Sequence, residues 1–248
     1  MIRIRGLAKR LGTRQVLTRV DLDIPDGQTV VIMGRSGTGK SVLLKHIIGL
    51  MQPDAGDIEV DGESIVGLGE AELNRVRKRF GMLFQGAALF DSLTVGENVG
   101  LPLREHTRLG DGEVRRRVAE RLEWVGLQGV EAMKPASLSG GMRKRVGLAR
   151  ALAMDPAYIL YDEPTTGLDP IMSDVINRLI RSLQKRIGVT SVVVTHDLRS
   201  AYHVGDRMAM LNDGHVVFAG TPEELRSSDD PFVHRFIEGS SEGLEESL

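Results

Sequence analysis

The stretch GRSGTGKS, residues 34–41, follows the pattern G-x-x-x-x-G-K-[ST] and places an ammonium and a hydroxyl directly after a glycine-rich run. Glycine lets successive backbone N–H groups turn inward around the oxygens of an anion, and a helix start adds partial positive charge. In that chemistry Gly34, Ser36, Gly37, Thr38 and Gly39 shape a phosphate cradle. Lys40 can then reach β- and γ-phosphates, and the Ser41 hydroxyl can ligate Mg²⁺. Without its flanks the same stretch reads as a strand-to-helix turn that binds nothing. Buried-strand residues precede it and a helical pattern follows, which is the context a phosphate loop requires.

A second chemical feature is YILYDEP, where an apolar run ends on two carboxylates, Asp162 and Glu163. In phosphate-loop enzymes the carboxylate at such a strand end holds Mg²⁺ opposite the loop hydroxyl, and Asp162 fits that part. Glu163 would lie beside the γ-phosphate and polarise a water, general-base work typically worth ~10²–10⁴ in rate. Taken alone, DEP is a solvated turn. A third feature is LSGGMRKR, residues 138–145: a second Ser-Gly-Gly turn opening a basic helix, far from the first cradle. Locally it also fits a plain helix cap with RKR as a solvated face.

These residues need elements to hold them. IRIRGL, VLTRVDLDI and DIEVDG alternate with period two, the mark of half-buried antiparallel strands. TVVIM is continuously apolar and suits a central strand buried on both faces. VLLKHIIGL reads as the helix after the cradle, ending near Gly49. From about Gln85 to Asp155 the pattern is mostly helical, with Val114, Val118, Leu122 and Val125 on one face of a helix. YILYD and SVVVT are again buried strands, with the helical SDVINRLIRSLQKR between them, the rhythm of a parallel α/β sheet. MAML and HVVFAG form a hairpin around NDG, and GSSEGLEESL is an acidic tail.

With 248 residues, 41% hydrophobic and 27% charged, the chain has the composition of an ordinary globular protein. A net charge of −2 and 4% aromatics give no overall attraction to nucleic acid and little means of stacking on bases. There is no cysteine, which excludes disulfides and zinc-thiolate sites. No apolar run has the ~18 residues of a membrane span and MIRIRGLAKR does not read as a secretory signal, so a cytoplasmic location is expected, with any membrane role through a partner.

Three more elements occur in order: Gln85 in GMLFQGAALF, TTGLDP directly after the paired carboxylates, and His196 at the end of VVVTHD. With the cradle, the carboxylates and LSGGM, this set resembles the ATP-binding subunit of ABC transporters over nearly all of residues 1–238. The resemblance implies an α/β phosphate-loop fold with a mostly parallel sheet and an antiparallel β subdomain. It also implies a helical subdomain inserted at roughly residues 86–155 and a flexible acidic tail at 239–248. Gln85 would contact Mg²⁺ or the attacking water; His196 would hold the γ-phosphate and orient the base Glu163. Two copies would stack head to tail around two ATP molecules. Ser139, Gly140 and Gly141 would then meet the γ-phosphate held by the other copy, and Asp169 would lie across the interface. Two positions depart from the family. Met142 replaces the usual Gln of LSGGQ, and Leu11 stands where an aromatic stacks on adenine; a guanidinium from Arg10 or Arg14 is the expected substitute.

A narrower resemblance, carried by GKSVLLKHIIGL, GMLFQGAALFDSLTVGENVGLPLREH, LSGGMRKRVGLARALAMDP and ILYDEPTTGLDPIMSDVIN, is to Mla-type ATPases, where Met142 is usual. It implies phospholipid movement between bacterial membranes with a permease and an MCE-domain lipid-binding protein, and a peripheral position on the inner face of the cell membrane. Leu89, Phe90, Leu93 and Val95 then suggest either a surface groove for a permease helix or a small core beneath the helices. The rival readings are an importer of polar solutes, a soluble ABC ATPase acting on nucleic acid or the ribosome, and a regulatory module that does not hydrolyse ATP. Lys40, Asp162, Glu163 and His196 speak against the last.

Overall fold

The computed structural model describes residues 1–239. The chain opens with β1 (Ile2–Leu11) and β2 (Arg14–Ile24), an antiparallel pair whose alternation sends Ile2, Ile4, Leu7, Leu17, Val20 and Ile24 into one core. All five residues of β3 (Thr29–Met33) are buried. The strand feeds through the glycine-rich loop into α1 (Lys40–Ile47). Next come β4 (Ala55–Val60), which pairs with β1, the short β5 (Glu63–Ser64), α2 (Glu70–Arg77) and β6 (Phe80–Leu83). A helical stretch follows: α3 (Val95–His106), α4 (Asp111–Trp124), a 3-10 turn at Pro135–Ser137 and α5 (Gly140–Ala151). The chain returns through β7 (Tyr158–Asp162), α6 (Pro170–Ile187), β8 (Thr190–Thr195) and α7 (Leu198–Val204). It closes with the hairpin β9 (Arg207–Asn212) and β10 (His215–Gly220), then α8 (Pro222–Arg226) and α9 (Pro231–Glu238).

The ten strands of the described residues belong to one mixed sheet in the order β5-β4-β1-β2-β10-β9-β3-β8-β7-β6. β9, β3, β8, β7 and β6 run parallel, and β8 lies between β3 and β7 in a register that pairs Met33 with Thr195 and Asp162 with Val194. The carboxyl ends of these three strands therefore stand side by side, the place where open α/β sheets present ligand-binding groups. The antiparallel strands are not a detached layer: a parallel bridge, His215 to Arg19, joins β10 to β2. One core, with Val31, Leu83, Val146 and Tyr161, packs β6 to β9 against α3 to α7; the other, with Ile4, Leu22, Leu44 and Ile58, lies under β1, β2, β4 and α1.

Several elements have no clear counterpart in the sequence pattern. α2 buries only Leu73 and Val76, too few to set a period, and α7 is seven residues long. Val95, one of the four residues that fitted a groove or a small core, is the first residue of α3 and fully buried, held there by a Thr94–Glu97 capping box. The expected acidic tail lies, apart from Gly239, outside the described residues. No helix among the described residues is long and apolar enough to cross a membrane.

Candidate functional site

The loop after β3 is shaped by backbone that only glycine tolerates. A Cβ on Gly34 would sit 2.4 Å from the Leu211 carbonyl oxygen, and Gly39, the N-cap of α1, has φ +99°. That cap has no side-chain hydrogen bond and the first turn of α1 holds no acidic residue, so the helix start keeps N–H groups for an anion. Thr38 closes the loop on itself, its Oγ1 donating to the Arg35 carbonyl at 2.9 Å. Lys40 is buried, and its Nζ donates to the carbonyls of Gly34 (2.8 Å) and Arg35 (3.0 Å). Burial lowers its pKa from the ordinary lysine value, while the carboxylates of Glu163 and Asp162 oppose that shift.

Asp162 ends β7 and accepts a 2.8 Å hydrogen bond from Ser41 Oγ, which ties the start of α1 to the end of that strand. Glu163 follows at φ +49°, a left-handed backbone that non-glycine residues seldom adopt. Its N–H donates to the Val194 carbonyl at 2.9 Å. Its carboxylate lies 3.0 Å from His196 Nδ1, accepts from Thr166 Oγ1 at 3.1 Å and stands 4.0 Å from Lys40 Nζ. Gln85 follows β6 with its side chain exposed on the lip. The cleft these groups form holds about 430 Å³, and Ser36, Gly37, Gly39, Lys40, Ser41 and Gln85 line it together with Glu163 and His196.

Ser139, Gly140, Gly141 and Asp169 are not in this cleft. Ser139 is the N-cap of α5, its Oγ accepting from the Met142 N–H at 3.2 Å, so the hydroxyl proton is left to donate elsewhere. Asp169 caps α6 by accepting from the N–H groups of Ile171 and Met172, both at 2.9 Å. The two caps are neighbours: a Cβ on Gly140 would meet Leu168, and one on Gly141 would meet Met172. The expected helix cap is therefore present, and it is compatible with a second duty.

Of the two arginines considered for the base-binding position, Arg14 faces the cleft and Arg10 does not. Arg14 Nη2 donates to the Gly37 carbonyl at 3.1 Å, whereas Arg10 Nε bonds Gln15. Leu11 is 42% exposed on the same rim. Three contributors went unnoticed in the sequence. Thr166 holds the Glu163 carboxylate and had a signal in TTGLDP. Lys144 and Arg150 bond main-chain carbonyls of distant loops, for which a linear pattern carries no signal.

Strand-end carboxylates, a glycine cradle with a buried lysine, and a histidine on the second carboxylate define a phosphate-loop nucleoside triphosphatase. Residues 17–166 match the ABC transporter family. The chain belongs to that family and is an ATP-binding, ATP-hydrolysing cassette. It is 46% identical over 238 residues to the "probable ribonucleotide transport ATP-binding protein mkl" of Mycobacterium leprae, covering 96% of this chain and 69% of that one. It is 43% and 41% identical to the "intermembrane phospholipid transport system ATP-binding protein MlaF" of Haemophilus influenzae and Escherichia coli, covering 98% of this chain and 92% and 90% of theirs. The dimeric post-hydrolysis structure of the ATP-binding cassette MJ0796 with ADP and Pi matches 89% of this chain and 98% of its own, with TM-score 0.82 and 37% identity.

Proposed function

We propose that this chain is the motor subunit of a transporter that moves phospholipid between bacterial membranes. The observation that supports this cargo is the likeness to two MlaF proteins over at least 90% of their length. The name of the mycobacterial relative favours a polar cargo instead, ribonucleotide, but this chain spans only 69% of that longer protein. The polar-solute importer is therefore the second reading. The motor would lie on the cytoplasmic face of the membrane, bound to a permease, with an MCE-domain protein in the same complex.

The residues support a specific division of labour. Backbone N–H groups of residues 34–41 and the Lys40 ammonium bind the triphosphate, and the start of α1 favours its charge. Ser41 and Asp162 supply hard oxygen donors at one point, with Gln85 on the lip, a set suited to Mg²⁺ carried in with phosphate oxygens. Among the described residues no group of three His, Asp or Glu side chains could hold a metal unaided, which fits an ion shared with its nucleotide. Bound there, Mg²⁺ would neutralise phosphate charge. Glu163 takes the proton of the attacking water; His196 and Thr166 fix the direction of its carboxylate. Two copies would pair so that Ser139 and Gly141 of one complete the site of the other, with Asp169 at the seam. Domain closure would reach the permease through a groove of about 500 Å³ lined by Met82, Phe84, Phe90, Leu101, Pro102 and Met154. Of the four apolar residues that fitted either a groove or a small core, Phe90 is 53% exposed and lines this groove, while Leu89 packs on the core and Val95 is buried.

The test is affinity purification of tagged chain from detergent-solubilised membranes, with protein and lipid mass spectrometry. A permease, an MCE-domain protein and phospholipid in the eluate are expected. A permease with a solute-binding protein would overturn the lipid cargo, and no membrane protein would overturn the transporter assembly.

A further inference from the structure

We propose that Lys144 is a positioning residue: from the first turns of α5 its ammonium fixes the main chain of Glu163 and of Gln85, so that hydrolysis depends on where that helix sits. This rests on Glu163 acting as the base. Lys144 is 5% exposed, and among the described residues its Nζ donates to two carbonyls, Glu163 at 3.1 Å and Gln85. Neither carbonyl belongs to its own helix. They belong to the turn that ends β7 and the turn that ends β6, which flank the cleft.

The Glu163 peptide is the one that needs holding. Its left-handed backbone persists only if the surroundings over-determine it. The Val194 carbonyl holds its N–H and the Lys144 ammonium holds its carbonyl, so both polar groups of the residue are fixed from different elements. The turn after Gln85 is held in the same way. Ala87 and Ala88 have φ +62° and +48°, and their carbonyls accept from Arg150 Nη2 at 2.8 Å and Nη1 at 2.7 Å. Lys144, Gly147 and Arg150 share one face of α5. A Cβ on Gly147 would lie 2.9 Å from Leu83 Cδ1 and 3.2 Å from Ala87 Cβ, so that face presses directly on the turn.

An ammonium suits this task because it has three donors and no acceptor, and two remote carbonyls can share it. Burial works against its charge, and the nearby Glu163 and Asp162 carboxylates support it. The same helix begins at Ser139, the cap proposed to meet the other copy. A shift of that helix start therefore reaches Glu163 and Gln85 through one side chain. Among the described residues the phosphate loop takes no hydrogen bond from α5, so the loss of Lys144 is expected to fall on turnover more than on nucleotide affinity.

The experiment compares Lys144→Met, Lys144→Arg and Glu163→Gln in the full chain, measuring ATP turnover, KM and nucleotide binding. Lys144→Met is expected to lower kcat about tenfold or more with KM within about threefold, and Lys144→Arg to restore most of the rate. Where Lys144→Met is insoluble, Lys144→Gln, whose two N–H donors are uncharged and sit on a side chain one bond shorter, is read in its place, with the same split between kcat and KM expected and a smaller loss of rate, more than about threefold. A kcat within about threefold of the parent, or equal losses in kcat and nucleotide affinity, would overturn the inference. Normal turnover in Glu163→Gln would instead overturn the base assignment; an inactive Glu163→Gln beside a normal Lys144→Met would overturn the Lys144 inference alone.

Discussion

His46 lies on the buried side of α1, beyond Lys40, and its charge matters to the fold rather than to the cleft. Its Nδ1 meets the Val42 carbonyl at 2.7 Å and its Nε2 has no partner. The neutral ring with the proton on Nδ1 satisfies that geometry; a second proton would put a charge in a buried place beside Lys9. Burial, assisted by Lys9, lowers its pKa below the ordinary 6.5, and the carbonyls of Val42 and Gln52 with Asp54 oppose the shift without cancelling it. The unfolded chain therefore binds a proton near pH 6.5 that the folded chain takes up only at lower pH. Stability must fall as pH drops through that window and gain nothing above it. Urea denaturation at several pH values should show the parent losing stability below pH 6.5 relative to His46→Gln; parallel curves would reject it. On the rim of the cleft, Leu11 and Arg14 offer no aromatic ring to a base. A leucine and a guanidinium contact purines through faces rather than edges, so ATP and GTP should be hydrolysed within about fivefold of each other. A strong ATP preference would argue against that pose.

At the scale of elements, β6 and the end of α5 approach so closely at Gly81 that no side chain fits there. A Cβ on Gly81 would lie 2.3 Å from the Ala151 carbonyl oxygen and 2.9 Å from its carbon, both backbone atoms that cannot swing aside. Gly81→Ala should therefore destabilise the fold by about 1–3 kcal/mol or more. Gly112→Ala, in α4 where the added carbon meets open space, should stabilise by up to about 1 kcal/mol. Equal denaturation midpoints for the two variants would refute the close approach. The elements legible in sequence are those whose pattern is local. β3 and β8 are β-branched runs and β7 is a run of Tyr, Ile and Leu, all buried on both faces, and α6 repeats apolar residues at helical spacing over eighteen residues. What stayed illegible depends on partners far along the chain. RKR reads as a solvated face, and Arg143 is exposed, but Lys144 is buried because carbonyls from two remote turns converge on it. The residues of the cleft were legible by type and order, and the resemblance also implied that His196 orients Glu163; which of Arg10 and Arg14 faces the cleft was not, because it depends on where the start of β2 lies against the phosphate loop.

At the scale of the whole molecule, the start of α5 raises a question of stoichiometry. It is a twelve-residue helix whose first turn holds no acidic residue, and its cap does not line the chain's own cleft. An anion it serves must arrive from outside the chain, and the proposed second copy supplies one on its own phosphate loop. If so, nucleotide is the glue of the dimer, and arresting hydrolysis should preserve the glue. Glu163→Gln, which keeps the shape of the base but cannot take a proton, should turn over at least about 10²-fold more slowly and run as a dimer with ATP present. Adding Ser139→Arg to that variant places a bulky cation at the helix start without touching the cleft. Nucleotide binding should then remain while the ATP-dependent dimer is lost, both measurable by light scattering and equilibrium binding on the same samples. A double variant that still dimerises on ATP would show that the α5 start is not the seam. One that loses nucleotide binding as well would show that Ser139 serves its own cleft, contrary to the geometry that keeps the two apart.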